Sequence, residues 1–245
     1  MENKVAIVTG ASSGIGYSTC LALSKVGLKV AAGARRIDKL KELEKEITKH
    51  DQEVFIQNLD VSKKADCDTF VDALVKKWGR VDVLINNAGL MPLSYFQNGK
   101  VDEWERMIDV NIKGVLYCTS AVIPHMLKEK SGHIVNISSV AGRIVFAGGS
   151  VYCATKHAIT AFSEGLRKEL SPKYNIRVTC IEPGAVSTEL LETITDESMS
   201  GYIQATKNME ILGSEDIAKA VLYAIQAPEH VNVNEILIRP TAQER

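Results

Sequence analysis

Cysteine is scarce and scattered in this 245-residue sequence: Cys20, Cys67, Cys118, Cys153 and Cys180 are odd in number, widely spaced and never form a Cys-x-x-Cys pair. Neither a disulfide framework nor a zinc site is therefore expected, and a reducing cytoplasm fits best. The five histidines, His50, His125, His133, His157 and His230, are equally dispersed and read as surface or packing residues, so no metal is called for. A net charge of -1 leaves no basic excess to hold a phosphate polymer or an anionic membrane surface. Nucleic acid and membrane are not expected partners. No apolar run reaches transmembrane length, and Met1-Glu-Asn-Lys passes directly into Val5-Ala-Ile-Val8 without the charged, apolar and small-residue segments of a secretory leader. Repeats, low-complexity tracts and linkers are missing too. So is Gly-x-x-x-x-Gly-Lys-Ser/Thr, which disfavours a nucleoside triphosphatase.

What is present is a regular alternation of short apolar runs and longer periodic segments. The chain is 45% hydrophobic and 24% charged, which suits one large α/β domain over residues 1–245. Val5-Ala-Ile-Val8 has the β-branched pattern of a strand buried on both faces. Further strands are predicted at residues 29–34, 54–57, 81–85, 133–137, 176–181 and 234–238. Helices are predicted at 17–26, at 37–50, through Phe70, Leu74 and Trp78, at 104–128 with a kink at Pro124, at 152–170 and at 214–226. Strands alternating with helices imply right-handed crossovers, hence a single-domain Rossmann arrangement: a doubly wound parallel sheet of about seven strands with helices on both faces.

In such sheets ligands gather at the carboxyl ends of the strands. Gly10 to Gly16, Asp60, Asn86 to Gly89, Ser138-Ser139 and Pro183-Gly184 each fall just past a predicted strand. Gly10-x-x-x-Gly14-x-Gly16, between the first strand and the first helix, offers what a pyrophosphate needs: close approach of backbone and free N–H groups at a helix N-terminus. Its spacing departs from Gly-x-Gly-x-x-Gly. At the end of the second strand an acidic residue would grip a ribose 2′-hydroxyl, whereas Ala34-Arg35-Arg36 supplies two guanidiniums suited to a 2′-phosphate. NADP(H) is thus favoured over NAD(H). Tyr152 and Lys156 lie one helical turn apart on one face, and a nearby cation draws a phenol toward phenolate, into the range where it can exchange protons at neutral pH.

Taken together, Thr9-Gly-Ala-Ser-Ser-Gly-Ile-Gly16, Asn86-Asn-Ala-Gly89, Asn111, Ser139, Tyr152-x-x-x-Lys156 and Pro183-Gly184 resemble the short-chain dehydrogenase/reductase family over essentially the whole chain. The stretches 141–149, 151–157 and 181–184 are similar to NADP-dependent members acting on 3-hydroxy acids, serine and small carbonyl compounds. The resemblance implies that Tyr152 is the general acid/base, that Lys156 lowers its pKa and holds the nicotinamide ribose, that Ser139 hydrogen-bonds the substrate carbonyl, and that Asn111 orders a water linked to Lys156. It implies a cofactor site made of Gly10, Ser12, Ser13, Gly14, Ile15, Gly16, Arg35 and Arg36 at the phosphates. Asp60 and Val61 would meet the adenine, Asn87, Ala88 and Gly89 the adenosine side, and Pro183, Gly184, Val186 and Thr188 the nicotinamide end. The interval to the tyrosine selects Ser139 over Ser138. Relatives of this kind form dimers or tetramers through the helix of Tyr152, whose Ala154, Ala158, Ala161 and Gly165 are small, and the helix before it.

Outside the shared set, Arg143 follows the Ser139 strand end by four residues, where a guanidinium could pair with a substrate carboxylate. Residues 187–209 are polar and long for a connection, the pattern of a lid over a pocket. The expected function is transfer of a hydride between nicotinamide and a small alcohol or carbonyl compound, a 3-hydroxy acid or semialdehyde among them. The competing readings are a broad-specificity ketone and aldehyde reductase, a catalytically silent NADP-binding redox sensor, and a sugar-nucleotide epimerase or dehydratase, whose usual extra substrate domain has no room here.

Overall fold

The computed structural model describes residues 3–244. Seven parallel strands form one sheet in the order β3-β2-β1-β4-β5-β6-β7: β1 Val5–Thr9, β2 Lys29–Ala34, β3 Val54–Asn58, β4 Val83–Asn86, β5 Gly132–Ile137, β6 Ile176–Pro183 and β7 Glu235–Ile238. The order reverses between β1 and β4, which places a crevice at their carboxyl ends. Alternation along β1 divides the core. Ala6 and Val8 meet α1 (Gly14–Lys25), α2 (Ile37–Thr48) and α8 (Ser214–Gln226), with Leu23, Leu40, Leu43 and Val221 fully buried there. Val5 and Ile7 meet the opposite layer, where Phe70 and Leu74 of α3 (Lys64–Trp78), Val122 and Met126 of α5 (Gly114–Glu129) and Leu170 of α6 (Ser150–Tyr174) are packed. Helices thus cover both faces, as the alternating pattern requires.

The helix expected at 104–128 differs from the expectation in an informative way. It is divided into α4 (Val101–Ile108) and α5 by a π turn at Asp109–Lys113, while Pro124 lies inside α5 without ending it. The break has a tertiary cause. Asn111, at the centre of the π turn, donates Nδ2 to the Leu90 carbonyl at 3.0 Å and accepts the Leu90 N–H on Oδ1 at 2.9 Å, so its amide is anchored to the strand-end loop rather than to helical spacing. Just beyond it, a Cβ on Gly114 would stand 2.7 Å from Val61 Cγ2, which is how closely α5 approaches the loop after β3.

The other long helix, α6, starts at Ser150 and runs past the expected end, through Pro172, until Asn175 turns left-handed at φ 54°. The 187–209 segment is ordered as two 3-10 turns, Glu189–Thr193 and Glu197–Met199, followed by α7 (Ser200–Lys207). Its polar composition serves local capping: Thr188 Oγ1 accepts the Leu190 N–H at 3.3 Å, and Asp196 Oδ1 the Ser198 N–H at 3.0 Å. Among the described residues no helix is long and apolar enough to cross a membrane, and no group of His, Cys, Asp and Glu could hold a metal ion.

Candidate active site

A cleft of about 900 Å³ opens at the carboxyl edge of the sheet. The turn from β1 to α1 forms its floor, with Gly10 at φ +65° and Gly14 at φ +53°, conformations that favour glycine. Gly16 serves differently: a Cβ there would lie 2.4 Å from the Gly10 carbonyl oxygen, so its role is to let α1 start close against the turn, and it does not line the cleft. Ser12, Ser13 and Ile15 do line it. Thr9, which opens the glycine motif but was assigned no role of its own, holds this turn to β4. Its Oγ1 accepts the Asn87 and Ala88 N–H groups, each at 3.0 Å, and Asn87 Nδ2 donates to the Thr9 carbonyl at 2.9 Å. Asn87 therefore faces the cleft but gives its amide to the turn.

The observed donor set fits an anionic dinucleotide. Ser13 occupies the N-cap position of α1 without making a side-chain cap bond, so the first-turn N–H groups remain available to a ligand phosphate. Arg36 donates Nη2 to Ser12 Oγ at 3.1 Å, to Ser13 Oγ at 2.8 Å and to the Glu189 carboxylate at 2.6 Å. A carboxylate thus sits where the sequence places a phosphate. Arg35 lines the same end of the cleft, as do Asp60 and Val61; Asp60 accepts the Ser62 N–H and hydroxyl at 3.1 and 2.7 Å.

At the other end Ser139, Tyr152 and Lys156 converge, all buried and all lining the cleft. Ser139 accepts the Ala141 N–H at 3.1 Å, donates to the Pro183 carbonyl at 3.3 Å and hydrogen-bonds the Tyr152 phenol. Ser138 turns the other way, donating to the Lys156 carbonyl at 3.1 Å, and acts as a strut for α6. The Lys156 ammonium lies 5.8 Å from the Tyr152 ring centroid and donates to the Ile137 carbonyl at 2.9 Å. Burial lowers its pKa to about 8. The phenol departs from the sequence expectation. Burial pushes Tyr152 above the ordinary tyrosine value, opposed by the Ser139 hydrogen bond, so in this arrangement the phenol is held as a proton donor.

Asn111 is buried and lies behind the cleft rather than on it; its Nδ2 also donates to Thr155 Oγ1 at 3.2 Å. A Cβ on Gly89 would fall 3.4 Å from Asn111 Oδ1 and 3.9 Å from Lys156 Nζ, which shows how closely these three residues are assembled.

Arg143 is a correction. It does not line the cleft, because its guanidinium is committed to two carboxylates: Nε donates to Glu182 at 2.5 Å and Nη2 to Glu235. Glu182 sits on β6 opposite Leu237 of β7, so strand pairing brings Glu235 to the same spot, and Arg143 closes the strand ends. With this cation spent, the wall near Tyr152 is mainly apolar. Leu90, Met91, Phe146, Leu190, Leu191 and Tyr202 cluster with it, and the Phe146 and Tyr202 rings stack at 5.8 Å. The 187–209 segment supplies three of these six and is fastened over the pocket by Met91 N–H donating to Thr193 Oγ1 at 3.0 Å and by a bridge from Val186 to Leu212. Pro183, Gly184, Val186 and Thr188 line the cleft beside it. Gln243 reaches the same rim and accepts the Ala185 N–H at 2.9 Å, closing on Gly184 so tightly that a Cβ there would meet its Oε1 at 2.2 Å.

A switch-point cleft with a glycine turn at one end and a serine, a tyrosine and a lysine at the other defines an oxidoreductase of the dinucleotide-binding α/β class. The short chain dehydrogenase family model matches residues 4–199, and the chain belongs to that family. An uncharacterised oxidoreductase of Staphylococcus saprophyticus is 49% identical over 245 residues, covering 99% of this chain and 98% of that one. Among solved structures, serine dehydrogenase in its closed form with NADP+ superposes with a TM-score of 0.91 at 37% identity, covering 98% of this chain and 96% of its own. A short-chain dehydrogenase/reductase from Burkholderia phymatum in complex with NAD superposes with a TM-score of 0.88 at 26% identity, covering 96% and 89%.

Proposed function

We propose that the chain is an NADP(H)-dependent oxidoreductase acting on a small alcohol or carbonyl compound, with a 3-hydroxy acid or semialdehyde as the first substrate class. The observation that carries this reading is the meeting of Ser139, Tyr152 and Lys156 on one wall of a cleft whose far end holds the Glu189 carboxylate on Arg36 and Ser13. The nicotinamide cofactor, when bound, supplies or accepts the hydride. This chain's own residues manage everything else. The Tyr152 phenol, kept protonated by burial, gives its proton to the carbonyl oxygen in reduction and recovers it in oxidation. The Ser139 hydroxyl donates to the same oxygen and stabilises the charge that grows on it. Lys156 supplies positive charge beside the phenol, and Asn111 fixes the Leu90 loop and α6 at the spacing this requires. Cofactor choice follows from Arg35 and Arg36 at the end of β2, with no carboxylate of β2 to bind a 2′-hydroxyl.

The resemblance to serine dehydrogenase supports a hydroxy acid. A second reading, broad reduction of neutral ketones and aldehydes, is favoured by the apolar wall and by the commitment of Arg143 to Glu182. A silent redox sensor has no use for the buried Ser139, Tyr152 and Lys156. A single Rossmann unit carries both the phosphate end of the cleft and the wall of Ser139, Tyr152 and Lys156. The exposed Ala154 and Ala161 face of α6, together with Leu116 on α5, suits assembly into a dimer or tetramer. The five free, buried cysteines are at home in the reducing cytoplasm. The test is a panel of aldehydes, ketones and 3-hydroxy acids assayed with NADPH and NADH. Turnover with NADPH well above NADH is expected; equal use of both, or none across the panel, would overturn the reading.

A further inference from the structure

The guanidinium at the end of β2 already holds an anion. Arg36 Nη2 gathers Ser12 Oγ, Ser13 Oγ and Glu189 Oε2 within 3.1 Å, and the Glu189 carboxylate also hydrogen-bonds Ser13. Glu189 does not come from the nucleotide-binding turns. It opens the 3-10 turn after β6, 153 residues away in sequence from Arg36. That turn reaches both ends of the cleft. Thr188 packs where a Cβ on Gly14 would stand, 2.9 Å from Thr188 Cγ2, while Leu190 and Leu191 belong to the wall at Tyr152 and Thr193 binds the Met91 N–H. The Arg36–Glu189 pair is about half exposed on both sides, at 49% and 46%. Exposed pairs of this kind are weakly held and readily exchanged.

We infer that Glu189 is a built-in occupant of the 2′-phosphate site, a residue that sets discrimination between phosphorylated and unphosphorylated dinucleotides and links it to the turn over the substrate pocket. This rests on the cofactor reading above. A ribose 2′-phosphate carries close to two negative charges, and a carboxylate about 5 Å away in water disfavours it by roughly tenfold in affinity. The two anions therefore compete for Arg36 and Ser13. A 2′-phosphate that takes these donors expels Glu189 and releases residues 189–193 from the phosphate end. A bare 2′-hydroxyl has no charge with which to displace the carboxylate, so with it the turn stays pinned.

The experiment uses the full chain with adenosine 2′,5′-bisphosphate and 5′-AMP as probes, titrated calorimetrically into the wild type and Glu189→Gln. The variant is expected to bind the bisphosphate about tenfold tighter, with the gain shrinking in high salt, and 5′-AMP within about twofold of the wild type. In the wild type the bisphosphate should speed amide exchange at residues 190–193, and 5′-AMP should not. An unchanged bisphosphate affinity in Glu189→Gln overturns the inference. A weakened one does so too, since it would make Glu189 a support for Arg36. The two readings fail separately: a wild type that binds both probes equally overturns NADP(H) preference itself, whereas a wild type that prefers the bisphosphate, with an indifferent variant, overturns only the role of Glu189.

Discussion

Replacing Arg143 with methionine separates the role the structure gives this residue from the one its sequence position suggests. Glu182 is fully buried, and its partners are Arg143 at 2.5 Å and the Thr160 hydroxyl at 3.3 Å. Removing one member of a buried pair typically costs about 3–5 kcal/mol, because the other charge is left without compensation. Arg143 is itself 38% exposed, so water reaches the vacated position, and Thr160 keeps its bond. About 2–3 kcal/mol is the reasoned loss, which in a chain of this size corresponds to a fall of roughly 5–10 °C in Tm. Burial raises the Glu182 pKa, and Arg143 opposes that rise. A carboxyl whose folded value is raised adds no penalty below its unfolded value and exacts the full one once pH exceeds the folded value. Without Arg143 the folded value climbs further, so the loss should be smaller at pH 5 than at pH 8. Urea unfolding at both pH values measures it, and Glu182→Gln on the same background should recover part of the loss. A loss under about 1 kcal/mol that does not change with pH, joined to a KM increase confined to carboxylate substrates, would refute this account and return Arg143 to the pocket.

Tyr152→Phe should retain cofactor binding by fluorescence titration while kcat falls by about 10²–10⁴, the usual worth of a positioned general acid. Lys156→Met should abolish turnover without loss of stability at pH 7. The lysine's folded pKa, about 8, lies below its ordinary 10.5, so its burial cost is present below pH 8 and disappears above 10.5. Denaturation at pH 7 and pH 10 should show the variant favoured by up to about 2 kcal/mol only at the lower value. Gly16→Ala should weaken dinucleotide binding at least tenfold in a direct titration, because its Cβ meets the Gly10 carbonyl oxygen at 2.4 Å. Gly165→Ala, with nothing within 4 Å of the new methyl group, should raise stability by about 0.5–1 kcal/mol in urea melts.

The parts of the molecule that were legible in advance are those written in local pattern. Strand runs such as Val5-Ala-Ile-Val8 and the alternation of elements led to the seven-stranded sheet, because burial on both faces leaves a continuous apolar signature. The glycine turn, Tyr152 and Lys156 were legible because short spacings fix their geometry. Contacts between distant segments left no such trace. Arg143 and Glu235 are 92 residues apart and meet only because β7 pairs with β6, so proximity to Ser139 in sequence misled about where the guanidinium points. Pro124 carried an obvious helix-breaking signal, yet the break formed at Asn111, where bonds to Leu90 prevailed over local propensity. The polar segment after β6 advertised a connection over the pocket but gave no hint that Glu189 would reach Arg36.

The placement of Gln243 has a practical side for anyone handling this protein. The chain's last described turn returns to the rim of the cleft, where Gln243 accepts the Ala185 N–H and presses on Gly184. Anything attached next to Gln243, or a change of Gln243 itself, would therefore act at the entrance of the proposed cofactor site, whereas the Val5 N–H that starts β1 is held by Asp82 at 2.8 Å at the opposite edge of the sheet, away from that entrance.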